Sequence, residues 1–393
     1  MFQVNQTIEI IPRRLYWYCD KQPPNKPKTY SFTIDETLVY LPYNTDFGPL
    51  DLSMICKYCR TINNLLSSED HSKMPIYHYT SMAPAKRANA ALLICAYQVL
   101  VLNCTPSEAW APFSSLPRFL FFRDASPEGS SFELCIIDCL QALAKAKTLN
   151  WINIQTFDCE IYDHYNQAAN GNFNWIVPDK FIAFGNPSTK IGQPGLTPEQ
   201  YVDIFVSMKV TAVVRLNNVT YDSTKFKKKG INHYELFFDD GSVPDDEIVQ
   251  RFFDICEKEQ AIAVHCQAGL GRTATIIGCF VIKNYDFTGH EFIAWARMCR
   301  SGSVLGPQQH FLCEYYQCLN GIFEARTPTM TPYEHYKAEF GDLGQAARLS
   351  SHSMREYASN NEERSESPVK YKTKYNQLVK IDPVLLKLYG KKK

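Results

Sequence analysis

The chain has 393 residues with 41 basic and 41 acidic side chains, so its formal net charge is zero and no global field draws it to nucleic acid or to an anionic membrane. The length allows two domains and a tail, the 45% hydrophobic content is ordinary for a globular protein, and no apolar run reaches the length of a membrane span. Its 14 cysteines are scattered, and the single Cys-x-x-Cys pair, Cys56 and Cys59, lies in an apolar, aromatic stretch that reads as core; neither a metal nor another cofactor is expected.

In chain order, Met1-Phe2-Gln3-Val4-Asn5 lacks the basic start and small-residue cleavage site of a secretory signal. That leads us to expect reduced thiols and a protein of nucleus and cytoplasm, not a secreted one. Residues 7–55 alternate β-branched or aromatic residues with turn clusters such as Gln22-Pro23-Pro24-Asn25, which predicts short strands around a loop. Residues 90–102 predict a buried helix, and Thr105-Pro106-Ser107-Glu108 predicts the capped start of the next. A further helix is predicted over 134–147. Residues 170–174 and 186–198 are turn-rich and predict a connecting segment.

The second half repeats this grammar. Residues 261–264 predict a buried strand, 273–285 an apolar helix, and Thr288-Gly289-His290-Glu291 the capped start of another. Ile76-Tyr77-His78-Tyr79 stands in the first half where Val264-His265-Cys266 stands in the second, which points to duplication of one α/β unit. From residue 327 apolar periodicity fades, so 327–393 is expected to be a polar, disordered tail ending in three lysines.

Between that strand and that helix lies His265-Cys266-Gln267-Ala268-Gly269-Leu270-Gly271-Arg272-Thr273. A cysteine at a helix N-terminus meets unpaired N–H groups and a positive dipole end, which favour the thiolate. Gly269 and Gly271 let the backbone curl so that successive N–H groups face one phosphate, and Arg272 can grip two of its oxygens as a planar fork. His265 is expected to sit beneath the loop and orient the cysteine backbone, and Thr273 to donate its hydroxyl to the sulfur. The leaving group needs an acid from elsewhere, and Phe238-Asp239-Asp240-Gly241-Ser242 has the composition of a mobile loop. Spacing leaves Asp239 and Asp240 both open for that role, while Asp245 and Asp246 suit the cap of the following helix.

With Cys299-Arg300-Ser301-Gly302-Ser303, Gly306-Pro307-Gln308-Gln309, Asn174-Trp175-Ile176-Val177-Pro178 and Thr45-Asp46-Phe47-Gly48 added, residues 8–325 resemble the cell-division-cycle-fourteen family of dual-specificity protein phosphatases. The resemblance implies an α/β protein with two tandem phosphatase-like domains, each a central sheet flanked by helices. On this reading residues 1–160 form a non-catalytic domain, 161–198 a connector, 199–326 the catalytic domain and 327–393 the tail. It implies Cys266 as nucleophile, Arg272 as phosphate ligand and Asp240 as general acid. Gln308 and Gln309 would position water, surface amides being the plainer alternative. Phosphoproteins phosphorylated by proline-directed kinases would be the substrates, in cell-division control, with a spindle-pole or centrosomal location. Nothing in the sequence settles whether the chain forms a homodimer.

The family's acidic groove is matched by residues 160–172, where Glu160 and Asp163 remain but Asn166 and Asn172 stand where acids are expected. That predicts a weakened preference for a basic residue after the phosphoserine-proline pair. Ser367-Pro368-Val369-Lys370 in the tail has the layout of a proline-directed phosphorylation site, or is a chance match. A phosphoinositide or RNA 5′-phosphatase would call for cations inside the loop, yet Gln267, Ala268 and Leu270 are uncharged. An inactive scaffold fits the first half, where Tyr79 replaces the nucleophile, but not the second.

Overall fold

The computed structural model describes residues 6–127, 132–190, 192 and 195–321, so the expected tail, with Ser367-Pro368 and the terminal lysines, lies outside the described residues. The first half runs β1 (Gln6–Ile11), β2 (Leu15–Cys19), β3 (Tyr30–Phe32), α1 (Leu52–Ser67), β4 (Ile76–Thr80), α2 (Pro84–Leu100), α3 (Pro106–Ser114) and α4 (Ile136–Thr148). The second runs α5 (Cys159–Asn166), β5 (Phe173–Val177), β6 (Phe181–Phe184), α6 (Pro198–Ser207), β7 (Val210–Arg215), α7 (Thr224–Lys227), β8 (Asn232–Glu235), α8 (Asp246–Lys258), β9 (Ala261–His265), α9 (Gly271–Tyr285), α10 (Gly289–Cys299) and α11 (Pro307–Leu319).

Local chemistry sets the boundaries. Thr105 and Thr288 cap α3 and α10 through complete capping boxes with Glu108 and Glu291. Asp245 caps α8 by accepting from Ile248 N. Strands were expected as far as residue 55, but those before α1 end at Phe32, and Asp51 caps α1 by accepting from Met54 N. The apolar spacing of Leu52, Ile55, Cys56, Cys59 and Ile62 turns one helical face into the core, and both cysteines are fully buried there.

The two sheets share one design. The first has strand order β1-β2-β4-β3 and the second β5-β6-β9-β7-β8. In each, the first strand pairs antiparallel with the second, and the following pairs are parallel. The duplication read from the sequence is thus an α/β unit repeated, with β8 added at one edge of the second copy. The segment 161–198, expected to connect the copies, also carries β5 and β6. Ile182, Ala183 and Phe184 there are fully buried, and β6 pairs directly with β9. An apolar run beside the central strand belongs in a sheet rather than a linker.

The halves share one apolar core that runs from Ile8 to Leu312. Trp151 stacks on Phe287 at 5.4 Å, and Lys145 Nζ lies 2.8 Å from Glu291 Oε2. Among the described residues, no helix is long and apolar enough to cross a membrane.

Candidate active site

Central strand β9 delivers the loop at its C-terminal end, where ligands of parallel sheets bind. The loop's geometry follows from where its carbonyls are held. His265 O accepts from Leu216 N at 2.9 Å, Gln267 O from Asn186 N at 2.9 Å, and Leu270 O from Val304 N at 3.2 Å. Cys266 O lies 2.9 Å from His265 Nδ1, while Ala268 O and Gly269 O accept from Arg300 at 3.0 and 2.9 Å. With six successive carbonyls tied outward, the N–H groups between them turn to the inside. One already touches the sulfur: Gly269 N donates to Cys266 Sγ at 3.3 Å.

Gly269 is sterically required, and Gly271 packs closely on a side chain. Gly269 has φ +71°, and a Cβ there would stand 2.0 Å from Phe184 O. A Cβ on Gly271 would stand 2.8 Å from Gln308 Oε1. Arg272 is 3% exposed; its Nη1 donates to Phe238 O at 3.0 Å and its Nη2 lies 3.2 Å from Asp240 Oδ1. Asp239 is exposed and uses its carbonyl to accept from Ser242 N and Oγ. The structure therefore separates the two candidate acids, bringing Asp240 to Arg272 and turning Asp239 outward. Gly241, at φ +79°, makes that turn.

The hydrogen bond expected from Thr273 to the sulfur is absent. Thr273 Oγ1 is buried without a partner, and the turn at Gly269 brings the Gly269 N–H onto the sulfur instead. Neither glutamine is a surface amide, since Gln308 and Gln309 are 0% and 1% exposed. Gln308 Nε2 donates to Ser242 O at 3.0 Å and its Oε1 accepts from Leu305 N, so it ties the acid loop to the turn before α11 while its amide packs against Gly271. Gln309 instead lies between Arg297 and Asp124, accepting from Arg297 Nη2 at 2.6 Å and donating to Asp124 Oδ2 at 3.1 Å. It ties the 304–309 turn to the first half.

Beneath the loop, Tyr221 links two buried histidines, its hydroxyl lying 2.6 Å from His265 Nε2 and 2.9 Å from His233 Nε2. Burial pulls His265 down to about 3, so it is neutral. Its Nδ1 must carry the proton, because it faces the Cys266 carbonyl; its Nε2 then accepts from Tyr221. Arg215, also buried, forks onto Glu235 at 2.8 and 2.6 Å and donates to Tyr221 O. On the rim, Asn217 Nδ2 donates to Asn186 Oδ1 and Gln267 Oε1. Leu270 packs with Ala125 and Leu305, against Tyr43 and Ala268, so the first half reaches the loop. Sequence reasoning assigned no role to Tyr221, Arg215 or Arg300; a lone tyrosine or arginine far along the chain carries no local signal.

The groove residues lie on α5, and Asn166 joins the loop's support through Asn174. Glu160 is exposed in the first turn of α5, Asp163 pairs with Lys57 of α1, and Asn166 Oδ1 accepts from Asn174. Among the described residues, no group of three or more His, Cys, Asp or Glu side chains is placed to hold a metal ion.

Two family descriptions match this chain: residues 9–146 match the dual specificity protein phosphatase N-terminal half, and 190–318 the dual specificity phosphatase catalytic domain. Dual specificity protein phosphatase CDC14A of Homo sapiens is 49% identical over 78% of this chain and 53% of its own length. CDC14C of Homo sapiens is 42% identical over 78% of this chain and 70% of its own length. The tyrosine-protein phosphatase CDC14 homolog of Schizosaccharomyces pombe is 39% identical over 79% and 60%. The chain spans about half the length of the CDC14A proteins it matches. With both halves, the tethered cysteine loop and the Arg272–Asp240 pair all in place, the chain belongs to the CDC14 family of dual-specificity protein phosphatases.

Proposed function

We propose that the second half hydrolyses phosphoserine, phosphothreonine and phosphotyrosine in proteins through a cysteinyl-phosphate intermediate, in control of cell division. The observation that carries this reading is the loop of outward-held carbonyls around Cys266, closed by Arg272. Cys266 Sγ, as thiolate, attacks phosphorus; the S–P bond forms as the bond to the seryl, threonyl or tyrosyl oxygen breaks. Inward N–H groups and the Arg272 fork hold the three equatorial oxygens, where charge spreads in the transition state. Asp240 gives its proton to the departing oxygen. It then takes a proton from the water that attacks the cysteinyl phosphate, releasing inorganic phosphate and restoring the thiolate. Gln308, held against Gly271 and Ser242, is the amide placed to orient that water.

Sites phosphorylated by proline-directed kinases are the substrates we favour. A basic residue downstream of the proline is read weakly: Asp163 is engaged by Lys57, and Asn166 and Asn172 add no charge. Peptides with Ser-Pro-x-Lys and Ser-Pro-x-Ala should therefore differ in kcat/KM by less than about tenfold.

Release of phosphate from a phosphoserine-proline peptide tests the reading, using wild type and Asp240→Asn. Asp240→Asn should lower kcat about 10²- to 10⁴-fold on the peptide, whose alkoxide needs a proton, and much less on an aryl phosphate with a good leaving group. Absence of phosphate release by the wild type would refute the function. An equal loss on both substrates would remove Asp240 from the acid role.

A further inference from the structure

A second arginine lies under the phosphate loop. Arg300 ends α10 in extended backbone, with φ −150° and ψ 100°, and it is 2% exposed. Its guanidinium makes three hydrogen bonds: Nε to Gly269 O at 2.9 Å, Nη2 to Ala268 O at 3.0 Å and Nη1 to Asn174 Oδ1 at 2.7 Å. All three acceptors are neutral. Among the described residues no carboxylate pairs with Arg300, whereas Arg215 and Arg272, also buried at the site, have theirs in Glu235 and Asp240.

Burial lowers the pKa of Arg300, but a guanidinium keeps its charge in a protein. The groups that act on its charge are Tyr43, Tyr201, Tyr162 and the Cys266 sulfur. The three phenols are pushed up by burial and stay neutral. A buried cation that no carboxylate pairs with is unfavourable; the Cys266 thiolate offsets part of its charge, and a bound dianion in the same low-dielectric space offsets more. The space above Ala268 and Gly269 is the one built to receive an anion.

We infer that Arg300 is a positioning residue for phosphoryl transfer, holding the Ala268 and Gly269 carbonyls away from the cradle and leaving a charge that no carboxylate cancels to favour the Cys266 thiolate and the bound phosphoryl group. It does not touch substrate; Ala268 and Gly269 stand between. A planar fork suits this task because the three oxygens lie in different directions around one side chain, which the point charge of lysine cannot match. Asn174 of β5 is the neutral third partner, so it fixes the guanidinium without cancelling its charge. This role rests on reading the loop as a phosphate cradle.

Tungstate, a tetrahedral dianion, separates the two ideas when its binding is measured by calorimetry on the full chain, because no turnover is needed. Arg300→Gln should weaken tungstate about tenfold or more, and Arg300→Lys should recover part of that affinity while kcat stays low. Asn174→Asp keeps the size of the side chain and sets a carboxylate on the guanidinium; it too should weaken tungstate about tenfold, with Tm unchanged within a few degrees. If Arg300→Gln does not fold, Asn174→Asp decides alone. Wild-type tungstate affinity in a folded Asn174→Asp variant would overturn the role of Arg300. Failure of the wild type to bind tungstate would instead overturn the phosphate-cradle reading beneath it.

Discussion

The two halves of the molecule place the same strand, histidine and helix in the same order, yet the cysteine and arginine of the 266–272 loop stand in the second alone. In both, a fully buried histidine near the end of the central strand meets a tyrosine hydroxyl: Tyr58 lies 2.7 Å from His78 Nδ1, and Tyr221 lies 2.6 Å from His265 Nε2. The next residue is Tyr79 in one copy and Cys266 in the other. The loops then differ in who fills them. In the first half a carboxylate of the chain itself, Asp35, accepts from Thr80 Oγ1 at 2.9 Å and from Ser81 N at 3.0 Å. Pro84 also opens α2 and removes one N–H. In the second half, Arg300 and backbone donors hold the loop's carbonyls outward, and the Gly269 N–H lies on the Cys266 sulfur. The fold supplies such a loop twice; on the proposed function, chemistry resides in the copy whose amide meets the Cys266 sulfur rather than a carboxylate.

The largest effect should come from the position at which the copies diverge. Cys266→Ser should lower turnover of an aryl phosphate by on the order of 10⁴-fold or more, since the cradle remains but the thiolate is lost. Tyr79→Phe should leave turnover unchanged, because it keeps the ring beside Tyr18 and removes a hydroxyl that makes a 3.4 Å contact to Lys21 O. Steady-state kinetics on the two variants checks this. A large loss in Tyr79→Phe would mean that the first half takes part in the chemistry and would break the comparison.

Much of that contrast was legible in the sequence because it is local. The nucleophile, its two glycines and Arg272 lie within seven residues, 266–272, and the helix caps at Thr105 and Thr288 depend on residues three apart. The duplication was legible because each copy repeats the same apolar strand and capped helix. What escaped notice depends on distant partners. Asn174 and Arg300 are 126 residues apart, and Lys57 meets Asp163 across 106. Gln308 and Gln309 read as plausible surface amides because their burial comes from the turn before α11 packing onto both halves. β5 and β6 hid in a segment whose flanking turns dominated its composition.

A middle-sized effect is expected at Gly269, the residue that shapes the second loop and has no glycine counterpart in the stretch 80–84 of the first. Gly269→Ala forces φ +71° on an L-residue and drives a methyl into Phe184 O, 2.0 Å away. Strain of this kind costs about 1–3 kcal/mol, and relief by shifting the loop would move the N–H group now on the sulfur. We expect kcat/KM to fall about tenfold to a hundredfold and Tm to drop by several degrees. Kinetics and calorimetry on the variant check both. Unchanged kinetics would show that the tight turn at Gly269 is not needed to aim the amides.

The smallest effect isolates what the shared tyrosine–histidine pair does in each copy. Tyr58→Phe and Tyr221→Phe each remove a hydroxyl from a buried imidazole, at about 1–3 kcal/mol of stability. Because one apolar core spans both halves, either loss should appear in a single unfolding transition. Only Tyr221→Phe should also lower kcat/KM, by a few-fold, because His265 alone carries a cysteine carbonyl on its other nitrogen. The pH dependence of the wild type supplies the frame for that measurement. His78 and His265 are both pulled down from 6.5 to about 3 by burial, so the unfolded chain binds more protons than the folded one between those values. Their contribution is therefore complete above pH 6.5 and is lost as the pH falls toward 3, at up to about 1.4 kcal/mol per pH unit for each histidine. His78→Gln should flatten that acid slope in urea titrations while kcat/KM at neutral pH stays at the wild-type value. If activity fell with it, the first copy's histidine would be coupled to the catalytic loop, and the division between an occupied cradle and a working one would have to be redrawn.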